Sequence, residues 1–189
     1  MKLLNTAWCR ENRAKPLVFL GAVLIASGVA HLGVYCIDGG SWEGDISWRK
    51  PILFGISAGL TSISMGWVWA SLSTWKYDRF LSWTAALALL LEVGLIDLQQ
   101  WRGVASHFNR STALDSVIYN LMGLLILWVT GVIIALTVRS FTTPLLQPTP
   151  MVIAMQYGLL YLTISCGLGI LININGDLRM QHGMPPAQY

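Results

Sequence analysis

Charge is what this chain of 189 residues has least of, since only 11% of its residues are Asp, Glu, Lys or Arg. Hydrophobic residues make up 54%, and the mean hydropathy is +0.58. Soluble domains carry about 25% charged residues. The composition therefore excludes an ordinary soluble domain. The net charge of +3 comes without a dense basic cluster, which argues against a nucleic-acid-binding protein.

Cysteine is also scarce. The chain has three cysteines, Cys9, Cys36 and Cys166, and no CxxC motif. This spacing supports neither a disulfide framework nor a thiolate metal site.

Long apolar segments dominate what is present. Each has the roughly 20 residues that an α-helix needs to cross the hydrocarbon core of a bilayer. The chain therefore predicts an all-α polytopic membrane bundle that forms one domain over residues 1–189. The five predicted helices are Leu17–Ile37, Pro51–Leu72, Phe80–Leu98, Leu114–Val138 and Met151–Ile174.

The distribution of Lys and Arg predicts the orientation, because cytoplasmic loops carry an excess of these residues. With the N-terminus inside, seven fall on the cytoplasmic side: Lys2, Arg10, Arg13, Lys15, Lys76, Arg79 and Arg139. Five fall on the other side: Arg49, Lys50, Arg102, Arg110 and Arg179. We expect the N-terminus inside, the C-terminus outside, and inner connections that serve as plain linkers.

Three polar residues interrupt the apolar segments at one predicted depth. His31, Glu92 and Asn120 each lie about six residues from the outer end of a helix, which is ~9 Å at 1.5 Å per residue. Ionisable groups at membrane depth usually face the bundle interior and mark a site. We expect His31 and Glu92 to pair, directly or through a water, and burial would favour a protonated or proton-transferring Glu92.

The predicted outer loop between the third and fourth helices is the densest group of reactive side chains. Arg102 suits a carboxylate or phosphate ligand, and His107 suits metal binding or proton transfer. Ser106 and Asn109 accompany them, and we expect this loop to close over a polar cavity together with the His31 layer. Arg49, at the start of the second helix, and Asn120 are further candidate ligand-binding residues.

Asp115 follows Thr112 by three residues, in the pattern of a capping box ahead of an apolar run. Helix capping gives Asp115 a sufficient structural role. With His107 and Glu92 it is also a candidate catalytic residue.

Three functional hypotheses follow. His31, His107 and His182 with a water would form a zinc site for hydrolysis of a lipid-like substrate. His31 and His107 would alternatively be axial ligands of a b-type haem in an electron-transfer protein. The third hypothesis is a protein that binds a lipid headgroup or another small molecule at its outer face.

The strings SWRKP, QQWRGVASHFN and GDLR resemble an uncharacterised family of bacterial multi-pass membrane proteins, from Ser47 onward. The resemblance implies a bacterial cytoplasmic membrane location and brings no activity with it. A fainter similarity to ceramidase-type membrane hydrolases, which use His, Asp and Ser, favours the zinc hypothesis, although their motif spacings are absent.

Overall fold

A computed structural model describes Cys9 and residues 11–145 and 147–184. Its regular structure is five long α-helices, all long and apolar enough to cross a membrane. This confirms the predicted fold class and the five segments. The helices are α1 (Lys15–Asp38), α2 (Arg49–Ser71), α3 (Asp78–Trp101), α4 (Ala113–Thr142) and α5 (Thr149–Gln181). The chain is an integral membrane helix bundle.

Consecutive helices run in opposite directions. One end of the bundle, here called the N-terminal end, carries the start of α1, the α2–α3 loop and the α4–α5 loop. The other, the C-terminal end, carries the α1–α2 loop, the α3–α4 loop and the end of α5. Helices α1, α2 and α3 contact one another, α4 packs on α3, and α5 packs on α4.

Glycines bring α1 and α2 into backbone contact. A Cβ on Gly59 would lie 2.6 Å from the carbonyl oxygen of Gly21, and one on Gly55 would lie 2.9 Å from Gly28. Such close approach is how small residues join helices in membranes, where apolar side chains gain little by leaving lipid. Gly55 and Gly59 therefore serve the close packing of α2 on α1.

The main apolar core lies between these helices and includes Leu17, Met65, Trp69, Val93 and Ile133. Helix α5 contributes little to it. Its buried residues are Met155, Leu159 and Gly176. Between residues 159 and 176, α5 therefore covers the bundle loosely.

The connections at the N-terminal end, which were expected to be plain linkers, are not. Asp78, 1% exposed at the start of α3, accepts hydrogen bonds from Arg13 at 3.1 Å, from the Trp75 backbone N–H at 2.8 Å and from Arg139. Arg13 and Arg139 also donate to the carbonyl oxygen of Ser73. This Asp78 cluster (Arg13, Asp78, Arg139) joins the starts of α1 and α3 to the end of α4.

Candidate functional site

His31 lies at the C-terminal end of the bundle with both ring nitrogens engaged. Its Nδ1 is 2.9 Å from the carbonyl oxygen of Ser27, and its Nε2 accepts the Trp101 indole N–H at 3.0 Å. This is the pattern of a neutral imidazole protonated on Nδ1. The rings of Trp48 and Trp101 flank it with centroids 6.0 and 6.1 Å away. His31 therefore has a complete structural role.

The acidic neighbour of His31 is Asp97, and no hydrogen bond or ion pair of His31 among the described residues involves Glu92, so the two do not pair directly. A pairing through a water stays a prediction. Asp97 Oδ2 lies 4.0 Å from His31 Nδ1 and accepts a hydrogen bond from Ser27 Oγ at 3.0 Å. Helix α3 continues to Trp101, three residues beyond the predicted end, so Glu92 lies deeper than expected. Asn120 is exposed and faces Arg110 at 3.5 Å, so it does not share the buried surroundings of His31 and Glu92.

Asp115 is saturated by its neighbours. Thr112 Oγ1 accepts the Asp115 backbone N–H at 3.1 Å and donates to Asp115 Oδ2 at 2.6 Å, which confirms the predicted cap. Asp115 Oδ1 accepts from Arg102 at 2.8 Å and from Gln99 Nε2 at 3.1 Å. Arg102 thus joins the end of α3 to the start of α4, and this geometry gives it a structural partner in place of a free anion.

Two helices, α3 and α5, are each followed by a glycine at the C-terminal end of the bundle. Gly103 (φ +65°) and Gly183 (φ +70°) follow α3 and α5 in Schellman motifs, with the next residue's N–H bonded five residues back, to Gln99 and Arg179. The motif at Gly103 turns the chain into the α3–α4 loop. Gly183 follows His182, which is exposed and bonds through Nδ1 to the carbonyl oxygen of Leu178.

Two adjacent residues attach the α3–α4 loop to different helices. His107 packs on Phe54 of α2 with ring centroids 5.8 Å apart. Phe108 has a positive φ of 58° and packs against Gly176 of α5, where a Cβ would lie 2.5 Å from its ring. A positive φ is costly for a phenylalanine and persists only where packing enforces it. The loop therefore bridges α2 and α5.

His107 occupies a sheltered position in this loop. Burial, assisted by nearby Lys50, lowers the pKa of His107 to about 4. Its Nδ1 is 3.0 Å from the hydroxyl of Ser106, which is itself buried. His107 is thus neutral at physiological pH and offers hydrogen bonds without charge.

A cavity of about 620 Å³ opens beside the loop, between Asp45 of the α1–α2 loop and Met180 of α5. His107 and Asn109 line it, as predicted, whereas Arg102 and His31 do not. A second cavity of about 460 Å³ adjoins it and is lined by Arg110, Asp177, Met180 and Gln181. We call the two together the outer cavity, where outer means the C-terminal end of the bundle.

Arg110 connects the two parts of the outer cavity and is held loosely. Its guanidinium lies 3.5 Å from Asp177 Oδ2 and 4.9 Å from the ring centroid of Tyr119. The Tyr119 hydroxyl donates to Asn173 at 2.7 Å and to Asp177 at 3.2 Å. Arg110 is 45% exposed, so it can change partners when a ligand enters.

Arg110, Asp177 and Asp45 were not among the predicted site residues. The GDLR string places Asp177 one turn before the end of α5, and Arg110 lies in the predicted outer loop. Those positions were the available signals. Arg49, which was predicted, is the half-buried first residue of α2 beside Lys50.

The three histidines do not converge on a zinc site. Among the described residues, no group of three His, Cys, Asp or Glu side chains is arranged to hold a metal ion. The Nε2 lone pair of His31 is taken by Trp101, so neither zinc nor haem fits His31 in this arrangement.

Comparisons with protein-family models, curated proteins and solved structures give no match to this chain.

Proposed function

We propose that the outer cavity binds a small zwitterionic group, such as the headgroup of a phospholipid, as the primary function of this membrane protein. The observation that carries the proposal is the cavity itself, which has a loosely held cation, carboxylates and a neutral histidine around one space. An anionic group would bind Arg110, and an ammonium group would bind Asp177 or Asp45. His107 and Asn109 would orient the ligand by neutral hydrogen bonds.

The surroundings of the cavity favour a lipid over a fully soluble ligand. Phe54, which packs on His107, is 38% exposed, and Ile46 on the cavity wall is 44% exposed. Both are apolar and lie at the C-terminal end of the bundle, Phe54 in the second turn of α2 and Ile46 in the α1–α2 loop. Acyl chains could follow these side chains while the headgroup occupies the polar space.

The proposal includes an orientation with the N-terminus in the cytoplasm of a bacterial cell, which puts the outer cavity at the outer leaflet of the cytoplasmic membrane. The seven-to-five distribution of Lys and Arg supports it. Reporter fusions after Thr74 and Tyr189 test it. Activity of both reporters on one side of the membrane contradicts the alternation.

Lipid retention tests the binding function. Protein reconstituted with equal amounts of phosphatidylethanolamine and phosphatidylglycerol is extracted in mild detergent, and bound lipid is identified by native mass spectrometry. We expect retained phosphatidylethanolamine, with affinity reduced about tenfold by Arg110→Gln, which corresponds to one charge-assisted hydrogen bond.

Arg79→Gln is the matched control, because Arg79 is an exposed arginine at the opposite end of the bundle. Equal losses in both variants, or retention without preference between the two lipids, contradict the headgroup proposal. Displacement of the lipid by free phosphoethanolamine would identify a soluble zwitterion as a competing source of the same chemistry.

A further inference from the structure

Glu92 is an acidic residue near the middle of a membrane helix. It lies fourteen residues after the start of α3 and nine before its end, or about 21 Å and about 14 Å along the helix. Its side chain is buried, with the residue 7% exposed. The outer cavity does not include it, so the proposed binding function leaves it unexplained.

The carboxyl group of Glu92 has no countercharge. Among the described residues, its Oε2 is buried without a hydrogen-bond partner, and Glu92 takes part in no ion pair. The apolar lengths of the other helices contain no Asp, Glu, Lys or Arg, over residues 16–37, 51–71, 116–138 and 149–176. The one histidine there, His31, is engaged by Ser27 and Trp101. An ionised carboxylate at this place would be left uncompensated in a low-dielectric medium.

Two neighbouring helices bring polar groups to the same region. Thr130 of α4 is 6% exposed, and its hydroxyl is a second buried group without a hydrogen-bond partner among the described residues. Cys166 of α5 lies beside Thr130 and close enough to Glu92 for an electrostatic effect on its thiol. Cys166 is a titratable side chain of α5 near Glu92, and Thr130 of α4 does not titrate.

We propose that Glu92, Thr130 and Cys166 form an intramembrane proton-binding site, independent of the outer cavity. Glu92 takes a proton from water to become a neutral carboxylic acid, and it returns that proton when it ionises. Thr130 and Cys166 are the polar side chains that α4 and α5 bring to this region of the bundle. Two unpartnered oxygens are too few for a hard metal cation, which takes six or more oxygen ligands.

The loose cover by α5 gives the site access. No residue of α5 between 159 and 176 is buried, and Cys166 itself is half-buried. A small movement of α5 would open Glu92 to the bilayer interior, where an apolar reagent can reach it, whereas Asp78, at the tightly bonded N-terminal end, would stay covered by its two arginines.

Labelling with dicyclohexylcarbodiimide tests the proposal, because this apolar reagent adds to neutral carboxylic acids in membrane interiors. The full-length protein is labelled in detergent at neutral pH, and adducts are counted by intact mass and located by fragment mapping. We expect one adduct on Glu92, at least tenfold faster than on Asp78 or Asp115, which are ion-paired with arginines. Raising the pH should slow the labelling.

Glu92→Gln should abolish the adduct, and Asp97→Asn should retain it. Mapping on the unaltered chain keeps the test valid if Glu92→Gln fails to fold. An adduct elsewhere, no adduct at neutral pH, or protection of Glu92 by sodium ions at constant pH each overturns the proposal, the last in favour of a cation site.

Discussion

At the N-terminal end of the bundle, Asp78 is 1% exposed and accepts hydrogen bonds from two arginines and a backbone N–H. At the C-terminal end, Asp177 lies 3.5 Å from Arg110, accepts a hydrogen bond from Tyr119 at 3.2 Å and borders an open cavity. Both ends pair acidic with basic side chains. They differ in how completely each charge is satisfied by the chain itself.

That difference separates stability from binding. A buried carboxylate with every lone pair used has nothing to offer a ligand, and it joins the segments that it contacts. A partly exposed pair with long distances contributes little to stability and can exchange partners. Loop composition alone predicted plain linkers at the N-terminal end, because the connections there contain few reactive side chains.

The largest effect that this comparison predicts is on stability. Asp78→Ala should reduce the free energy of unfolding by about 3–5 kcal/mol, because it leaves the buried Arg139 without the carboxylate that it pairs with and leaves Arg13 with Glu11 alone. Asp177→Ala should cost no more than about 1 kcal/mol, since its ion pair is partly exposed. Reversible denaturant unfolding in detergent measures both. Similar losses at the two ends would remove the distinction.

The helices were predictable because the length of each apolar segment can be counted in the sequence. The residues at which the helices end were less predictable. Hydropathy ended α3 at Leu98 and α5 at Ile174, whereas the helices continue to Trp101 and Gln181. Polar residues in a last turn lower hydropathy without breaking the backbone hydrogen bonds. The glycines at 103 and 183, which close both helices, were the better signal.

The partners of the buried charges were not predictable from one sequence. Asp78 meets Arg13 and Arg139 across 65 and 61 residues, and only the packing of three helices decides such contacts. For His31, the predicted depth in the membrane marked a polar site, but it did not identify the acidic residue that lies beside it. Glu92 and Asp97 are five residues apart, so their side chains leave α3 in directions about 140° apart. The rotation of α3 about its own axis places Asp97 beside Ser27 and His31.

The second prediction concerns pH and His107. Its pKa is about 4 in the folded protein and about 6.5 in an unfolded chain, so below pH 6.5 the unfolded state takes up the proton first. The stability due to neutral His107 is therefore complete above pH 6.5 and is lost as the pH falls toward 4, by up to about 3 kcal/mol.

His107→Gln should remove this dependence, because glutamine does not titrate. The measurement is the difference in unfolding free energy between the two proteins at several pH values from 4 to 7.5. His182→Gln is the control, since His182 is an exposed histidine at the same end. A constant difference between the original chain and His107→Gln across this range would show that His107 is not sheltered.

The third and smallest effect tests whether the contact between Phe108 and Gly176 holds the α3–α4 loop on α5. In Gly176→Ala the new Cβ would lie 2.5 Å from the Phe108 ring, so the loop must shift. Overpacking of this kind costs about 1–3 kcal/mol. In Gly169→Ala, on the same helix, the Cβ would meet nothing within 4 Å, and better helix propensity should leave stability equal or higher by up to about 1 kcal/mol.

Because Arg110 follows Phe108 by two residues, Gly176→Ala should also weaken lipid retention, whereas Gly169→Ala should not. Adding Phe108→Leu to Gly176→Ala frees space at the contact and should restore part of both losses. If the two glycine variants behave alike, Phe108 does not hold the loop on α5, and the outer cavity must owe its shape to His107 and Phe54 instead.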